Sequence, residues 1–434
     1  MSVPSRGLRL TVNADDRFLQ VATSFVEKAS LALGLDERAA LDLTLASEEI
    51  FTYVCHKASP GALISLASRG GGYYVEVDFG FEAREFNMQA FNLTSRVARR
   101  ADESLEETGL VIASRMVDRF HFSQDGRRLR ITLVKERSYP AVEALPLPES
   151  KPLSMFAIRE PDPEEVKLCV RLVLRDYPPQ AIPFSFRSPG KIADMVSCGE
   201  LRAAIAVDRG GSVGGGIVWR WRGSKLVQSF GPYLFAQTIE SGVGKALVDA
   251  CLTSIARTPA IGIISHSLAS DLAAGFFEPL GTVTIRLKDG RVHENALYYR
   301  HLEEDLGLAV WSDPAIEPFL RREYERLAFA REIRTVRDDG EAAAYAVLSA
   351  GLDREAARAT LHPIWWGRDS RETLAAHVNM LQKEGLPNIY FEMDIGRAWH
   401  CHFAPALMEC GFEPRLLLPY AGEGDLVVFQ HRGG

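Results

Sequence analysis

The stretch TIESGVGKALVDACLTSIAR, residues 238–257, puts Gly242 and Gly244 at the threshold of what otherwise reads as a helix. Before it stands the strand-like KLVQSFGPYLF (225–235), and after it AIGIISHS (260–267) reads as another strand. A loop that leaves a strand and enters a helix through glycines presents backbone N–H groups at the positive end of the helix dipole. Such a place takes phosphate. A tight turn or close packing would use the same glycines, so the pair alone does not separate the two readings.

Working outward, FAIREPDPEEVKLCVRLVLRDYP (156–178) reads as a strand and then a helix with Val166, Val170, Leu172 and Leu174 toward its apolar side. ELRAAIAVDRGGSVGGGIVWRW (200–221) reads as two strands joined by the turn Asp208–Ser212, and LASDLAAGFFEPLG (268–281) as a last helix. This order, with ESGVGKAL at 240–247, resembles the GNAT acyltransferase superfamily, in which an R/Q-x-x-G-x-G/A loop cradles the pyrophosphate of acetyl-CoA. The resemblance implies an acetyl-CoA or other acyl-CoA cofactor held by Glu240, Ser241, Gly242, Val243, Gly244 and Lys245, chiefly through their backbone donors. Ile239 stands where the motif has Arg or Gln, so that side-chain contact is lost, and Lys245 offers a charge in its place. An acyltransferase must also deprotonate its acceptor and protonate the leaving thiolate. The superfamily's proton-giving Tyr is here Phe277, which leaves Ser229, Tyr233 and His266 as weak catalytic candidates. Each reads equally as an ordinary polar residue at a strand end.

The last third repeats the pattern. Ser265–Gly281 finds a partner in DIGRAWHCHFAPALMECGF (394–412), each after an apolar strand. PAIEPFLRREYERLAFA (314–330) reads as a helix, 331–351 as a hairpin, EAARATLHPIWW (355–366) as a strand and 370–387 as a helix. This looks like a second GNAT-like unit, but its connection WGRDSRET (366–373) has one glycine, so it is expected not to bind CoA in the same way. His400, Cys401 and His402 have metal-ligand residue types, yet histidines two apart on a helix do not converge, and no metal site is expected. Trp365 and Trp366 face opposite sides of a strand, one toward the core.

At the other end, LRLTVNA (8–14) alternates like a strand, and 15–34 reads as a helix with Phe18, Val21, Phe25 and Ala29 on one stripe, closing at Gly34. A second helix at 35–58 places Leu41, Leu45 and Glu49 on successive turns of one face. Two strands at 61–69 and 72–80 share the turn Arg69–Gly72; a third helix at 108–123 and a strand at 127–136 follow. Such elements make a two-layer α/β sandwich. With EEIFTY (48–53), Asp78-Phe-Gly80 and TGLVIASRMVD (108–118), this order resembles the histidine-kinase-like ATPases, and among them the bacterial anti-sigma factor serine kinases. The resemblance implies a nucleotide site of Glu49, Asp78, Gly80, Gly109 and Leu110, and a homodimer. Tyr53 replaces the family's Mg²⁺-holding Asn, and Glu82 replaces the second Gly of its DxGxG loop. A phenol is a poor substitute for a hard amide oxygen, so metal-assisted phosphoryl transfer is expected to be weak or absent.

Between these parts, RSYPAVEALPLPESKPLSM (137–155) is too proline-dense for helix or strand. The expected organisation is a kinase-like domain at 1–137, a linker at 138–154, a GNAT-like unit at 155–299 and a degenerate one at 300–434. The fold class is α+β: the N-terminal sandwich, then two mixed-sheet α/β units. A net charge of −7 gives no basic excess for nucleic acid or a membrane surface, and neither a signal peptide nor a spanning run is evident. Six scattered cysteines without a CxxC pair suggest reduced thiols, and the cytoplasm is the expected compartment. Two readings stand. One is an N-acyltransferase acting on a small-molecule or protein amine, with a regulatory N-terminal domain that binds a protein partner or ATP. The other is a non-catalytic partner-switching or ligand-sensing regulator that binds an anti-sigma-antagonist-like protein.

Overall fold

The computed structural model describes residues 7–59, 61–82, 92, 113, 116–125, 128–140, 146–266, 275–287, 289–337, 343–353 and 356–433. The chain divides into two compact units, Met1–Tyr139 with Ala344–Ser349, and Pro140–Ala343 with Ala350–Gly434.

The first unit holds β1 (Gly7–Asn13), α1 (Leu19–Ala32), α2 (Glu37–Lys57), β2 (Leu63–Gly70), β3 (Tyr74–Glu82), β4 (Arg119–Asp125) and β5 (Arg128–Glu136). The strands form one antiparallel sheet in the order β1-β2-β3-β5-β4. Alternation turns Val75, Val77, Phe79 and Phe81 to one face, and Leu129, Ile131 and Leu133 of β5 join them in the core. Lys135, on the same β5 face, reaches Asp42 of α2 at 2.8 Å, so the helices lie on that face.

The helices bury different stripes from those the sequence suggests. In α1 the buried residues are Ala22, Val26, Ala29 and Ser30, while Val21 is 49% exposed. In α2 they include Ala39, Leu43, Ala46, Ile50 and Val54, and Leu41 is 53% exposed. Small alanines let these faces sit close to the sheet, and reading only the large apolar residues shifts each stripe. The end of the expected third helix is also different, because Arg119–Asp125 is a strand; most of 108–118 lies outside the described residues.

The second unit continues with β6 (Ala157–Arg159), α3 (Pro163–Asp176), α4 (Pro189–Ser197), β7 (Arg202–Val207), β8 (Val213–Arg222), β9 (Leu226–Leu234), α5 (Val243–Ile255), β10 (Gly262–Ser265), β11 (Glu278–Arg286) and β12 (Val292–His301). Then follow β13 (Leu308–Ser312), α6 (Glu317–Arg326), β14 (Arg331–Thr335), β15 (Val347–Asp353, of which 347–349 are counted in the first unit), β16 (Arg358–Trp365), α7 (Ser370–Lys383), β17 (Asn388–Asp394), α8 (Ala398–Cys401), α9 (Ala404–Glu409), β18 (Phe412–Leu418) and β19 (Leu426–His431). The first sheet runs β11-β12-β10-β9-β8-β7-β6, and the second β15-β16-β17-β19-β18. Read from the hairpin end, β11-β12-β10-β9-β8 and β18-β19-β17-β16-β15 are the same order. In both, one parallel pair is linked through a helix, β9 with β10 and β16 with β17. Both sheets are mixed, as their antiparallel hairpins show.

Two expectations fail here. Residues 331–351 are not a hairpin: β14 pairs in parallel with β13, which the sequence reading did not identify as a strand. Glu278–Gly281 opens β11 instead of ending a helix, and 267–274 lie outside the described residues. The described part of 138–154 carries no helix or strand, and its end is strapped down. Arg175 donates to Pro148 O at 3.1 Å, and Gln237 Oε1 accepts from Leu153 N at 3.0 Å.

The edge strand β11 is covered by side chains from the second sheet. Buried Asn388 accepts from Arg286 N at 2.7 Å and donates to Arg286 O at 2.9 Å, as a neighbouring strand would. Gln430 repeats this at Thr284, accepting at 3.1 Å and donating at 2.7 Å. An exposed edge is an aggregation template, and here the backbone groups of Thr284 and Arg286 are occupied. In β14, the Arg331 side chain is fully buried between Asp425 and Asp305, at 2.6 Å from each. Tyr324 also donates to Asp425, at 2.9 Å. That buried pairing is satisfied and structural.

Candidate functional site: the start of α5 and the end of the β9–β10 pairing

Gly242 is the N-cap residue of α5 and takes φ 67°, ψ 8°, the left-handed conformation that glycine adopts without a steric penalty. A Cβ built there would meet nothing within 4 Å, so the glycine faces open space. Gly242 itself, with no side chain, makes no cap hydrogen bond. Ser241 Oγ donates to Thr238 O at 2.7 Å and accepts from Val243 N at 3.4 Å. Val243 and Gly244 are buried on the inner side, so the two glycines differ in role: one turns the chain and the other packs. Lys245 is not a spare charge, because its Nζ pairs with Asp249 at 2.5 Å. Glu240 is exposed beside the turn.

The parallel pairing of the strands flanking α5 ends near here. Its register runs from Gly262↔Leu226 to Ser265↔Ser229, where β10 ends, while β9 continues to Leu234. Opposite β8, Gly231 and Pro232 face the single residue Ile217, a bulge between Phe230 and Tyr233. Ser265 Oγ still reaches β9 past the last pair, donating to Gly231 O at 3.3 Å.

The three catalytic candidates are not brought together. Ser229 is buried and donates to Ile264 O at 3.2 Å. Tyr233 is buried, donates to Ala181 O at 3.3 Å and sits edge-on to Tyr177 at 4.9 Å between centroids. Burial pushes its phenol up, so the hydroxyl stays protonated at neutral pH. His266 stacks on Phe230, and its Nε2 lies 2.7 Å from Gln228 Nε2. Arg220 donates to Gln228 Oε1 at 3.2 Å, which orients the amide N–H toward His266 and leaves its Nδ1 as the protonated nitrogen. Burial first, then Arg222, Arg358 and Arg220, lower the His266 pKa to about 4. Phe277 belongs to the core beside Val243 and Leu247.

In the first unit the expected nucleotide residues are likewise separated. Glu49 is half-buried on α2, where burial and then Glu48 push its carboxyl up. Asp78 and Gly80 are mid-strand in β3, not in a loop, and alternation turns Asp78 away from the helix face. Its carboxylate accepts from Arg69 and from Thr132 Oγ1. Gly80 has no positive φ, Tyr53 is buried in α2, and Gly109 and Leu110 lie outside the described residues.

His400 and His402 diverge: His400 is buried with Nδ1 accepting from Asp394 N at 3.2 Å, and His402 stacks on Trp366 at 4.5 Å. Among the described residues no group of three His, Cys, Asp or Glu is placed to hold a metal. No described helix is long and apolar enough to cross a membrane. Sequence reasoning missed the polar group of Arg222, Glu392 and His362, in which Arg222 Nη2 meets Glu392 Oε1 at 2.7 Å and His362 Nδ1 stands 3.7 Å from Glu392 Oε2. Arg222 and Glu392 are 170 residues apart, so no local pattern could have paired them.

No family model matches the sequence, and no curated protein matches it. Among solved structures, the chain is similar to a putative acetyltransferase from Acinetobacter baylyi ADP1, with 18% identity over 35% of this chain and 96% of that one, TM-score 0.28. It is also similar to a GNAT superfamily phosphinothricin acetyltransferase from Sinorhizobium meliloti in complex with AcCoA, with 17% identity over 34% and 89% of the two chains, TM-score 0.27. A GNAT family N-acetyltransferase from Escherichia coli in complex with CoA gives 17% identity over 36% and 86%, TM-score 0.26. Likeness at these scores establishes no family membership.

Proposed function

We propose that the chain is an acyl-CoA-dependent N-acyltransferase, with acetyl-CoA as the donor and an amine as the acceptor. The observation that carries this reading is the start of α5: a helix N-terminus entered through left-handed Gly242, which faces open space and brings no side chain, beside strands whose pairing ends at Ser229 and Ser265. Backbone amides and the helix dipole at such a start suit a diphosphate. The residues fit the cofactor in that sense. Bound there, acyl-CoA would supply an activated thioester. The contribution of this chain is to hold the diphosphate on the backbone of 240–245 and to orient the acceptor, since Ser229 and Tyr233 are engaged by backbone carbonyls. Neutral His266 has one acceptor nitrogen, Nε2, and Gln228 occupies it, so none of the three presents a free proton acceptor in this arrangement. The first unit is then regulatory. With Asp78 taken by Arg69 and Thr132, the described residues of this unit present no nucleotide site, and no ATP or Mg²⁺ step is derived.

Those same engaged side chains favour a second reading, a non-catalytic regulator that senses a ligand or switches between protein partners. Calorimetric titration with acetyl-CoA separates them. The acyltransferase reading predicts saturable binding that is lost in Gly242→Glu, where a carboxylate enters the cradle and repels phosphate. Absence of binding to the unaltered chain would leave the regulator.

A further inference from the structure

Between the two sheets of the second unit lies a cavity of about 110 Å³, room for several waters or one small organic molecule. Val283, Leu297 and Leu416 of the hairpin strands give it apolar walls. On its polar side stands His266, the first residue after β10. Three neighbours fix that ring. Phe230 stacks on one face, with centroids 5.9 Å apart and planes 7° apart. Arg220 lies over the same Phe230, 5.6 Å from its centroid, and its Nε and Nη2 donate to Gln228 Oε1 at 3.2 and 3.1 Å. A guanidinium only donates, so it decides which end of the Gln228 amide faces it. The amide nitrogen is thereby turned to His266 Nε2, at 2.7 Å. An imidazole that accepts at Nε2 carries its proton on Nδ1. Burial and the arginines keep the ring neutral at neutral pH, so the tautomer is set by Gln228 alone.

On the imidazole, Nδ1 points away from Nε2 and so away from Gln228. It makes no hydrogen bond among the described residues, and it is not one of the fully enclosed polar atoms that lack a partner. The ring therefore offers the cavity a fixed N–H donor and no acceptor. The charged pair in the same lining, Arg222 and Glu392, is matched at 2.7 Å.

We propose that this cavity binds a small uncharged carbonyl compound, a ketone, amide or ester, whose oxygen accepts from His266 Nδ1–H and whose hydrocarbon part lies against the apolar walls. A carboxylate would also accept, but burying a charge beside leucine and valine costs far more than burying a carbonyl that gains its hydrogen bond. An ammonium has only donors to set against the same N–H. An apolar lining with a few placed polar groups is the usual make-up of a small-molecule site. This inference does not rest on acyl transfer, because a chain that binds no acetyl-CoA keeps the same donor and walls.

The test joins two measurements on the full chain at neutral pH. Histidine nitrogen shifts by NMR, with His266→Leu identifying the signal, should show His266 protonated at Nδ1 and unprotonated at Nε2. Calorimetric titration with acetone, butanone and cyclopentanone should find saturable binding by at least one of the larger two. Methylenecyclopentane, the shape of cyclopentanone without the oxygen, should bind about tenfold more weakly, the loss of one buried hydrogen bond. Butanoate and butylammonium should be weaker than butanone. In His266→Leu, shown to be folded by far-UV circular dichroism, the tenfold preference for ketone over alkene should vanish. If that variant does not fold, the tautomer and the ketone–alkene comparison decide the question on the unaltered chain. A proton on Nε2, no binding by any ketone, equal binding of the alkene, tighter binding of either ion, or an intact preference in folded His266→Leu would each overturn the proposal.

Discussion

His266 carries the clearest electrostatic consequence at the scale of one residue. Between the ordinary imidazole value of about 6.5 and its folded value of about 4, the unfolded chain holds a proton that the folded chain does not. Stability contributed by the neutral ring is therefore complete above the upper value and lost as pH falls through that window. A gap of this size corresponds to roughly 3 kcal/mol. Thermal unfolding of the unaltered chain should drop in midpoint from neutral pH toward pH about 4, and His266→Gln should flatten part of that drop. An identical pH profile in the variant would show that the ring titrates freely. At this scale the sequence was informative about Gly242, because a helix start with glycine has few uses. It was uninformative about Ser229, Tyr233 and Lys245, whose partners Ile264, Ala181 and Asp249 depend on how strands and helix turns meet.

At the scale of elements, the segments with local chemistry were the readable ones. Asp162 and Glu165 form a capping box that starts α3, and Asp208 closes the β7–β8 turn by accepting from Gly210 N and Ser212 N. The faces of α1 and α2 were not readable, because packing against a sheet rewards small alanines that carry little weight in a hydrophobic stripe. Ile50 and Leu41 test the observed face of α2 directly. Ile50 is fully buried, so Ile50→Ala should cost about 2–5 kcal/mol. Leu41 is 53% exposed, and Leu41→Lys should stay within about 0.5 kcal/mol of the unaltered protein in chemical denaturation. The reverse ranking would restore the stripe through Leu41 and Leu45. The parallel pairing of β13 with β14 was also invisible, since a five-residue strand such as REIRT says nothing about its partner.

Across the whole molecule, the duplicated strand order in the second unit was legible only as a similarity of successive segments. How the copies join was not, because the join is made by amides: Asn388 and Gln430 reach the backbone of β11, about a hundred residues or more earlier in the chain. Removing Asn388 leaves the Arg286 N–H and carbonyl without these partners. Asn388→Ala should lower stability by about 1–3 kcal/mol, the loss of a buried amide's hydrogen bonds to Arg286 N, Arg286 O and Ala357 O. It should also raise amide exchange along β11. Unchanged exchange there would mean that the edge does not depend on its side-chain cover.

The central claim, that an acyl-CoA diphosphate rests on the backbone at the start of α5, is tested most directly by amide hydrogen exchange with and without acetyl-CoA. The account predicts slowed exchange concentrated at residues 240–246 and lost in Gly242→Glu. Exchange at those amides unaltered by saturating acetyl-CoA would contradict it.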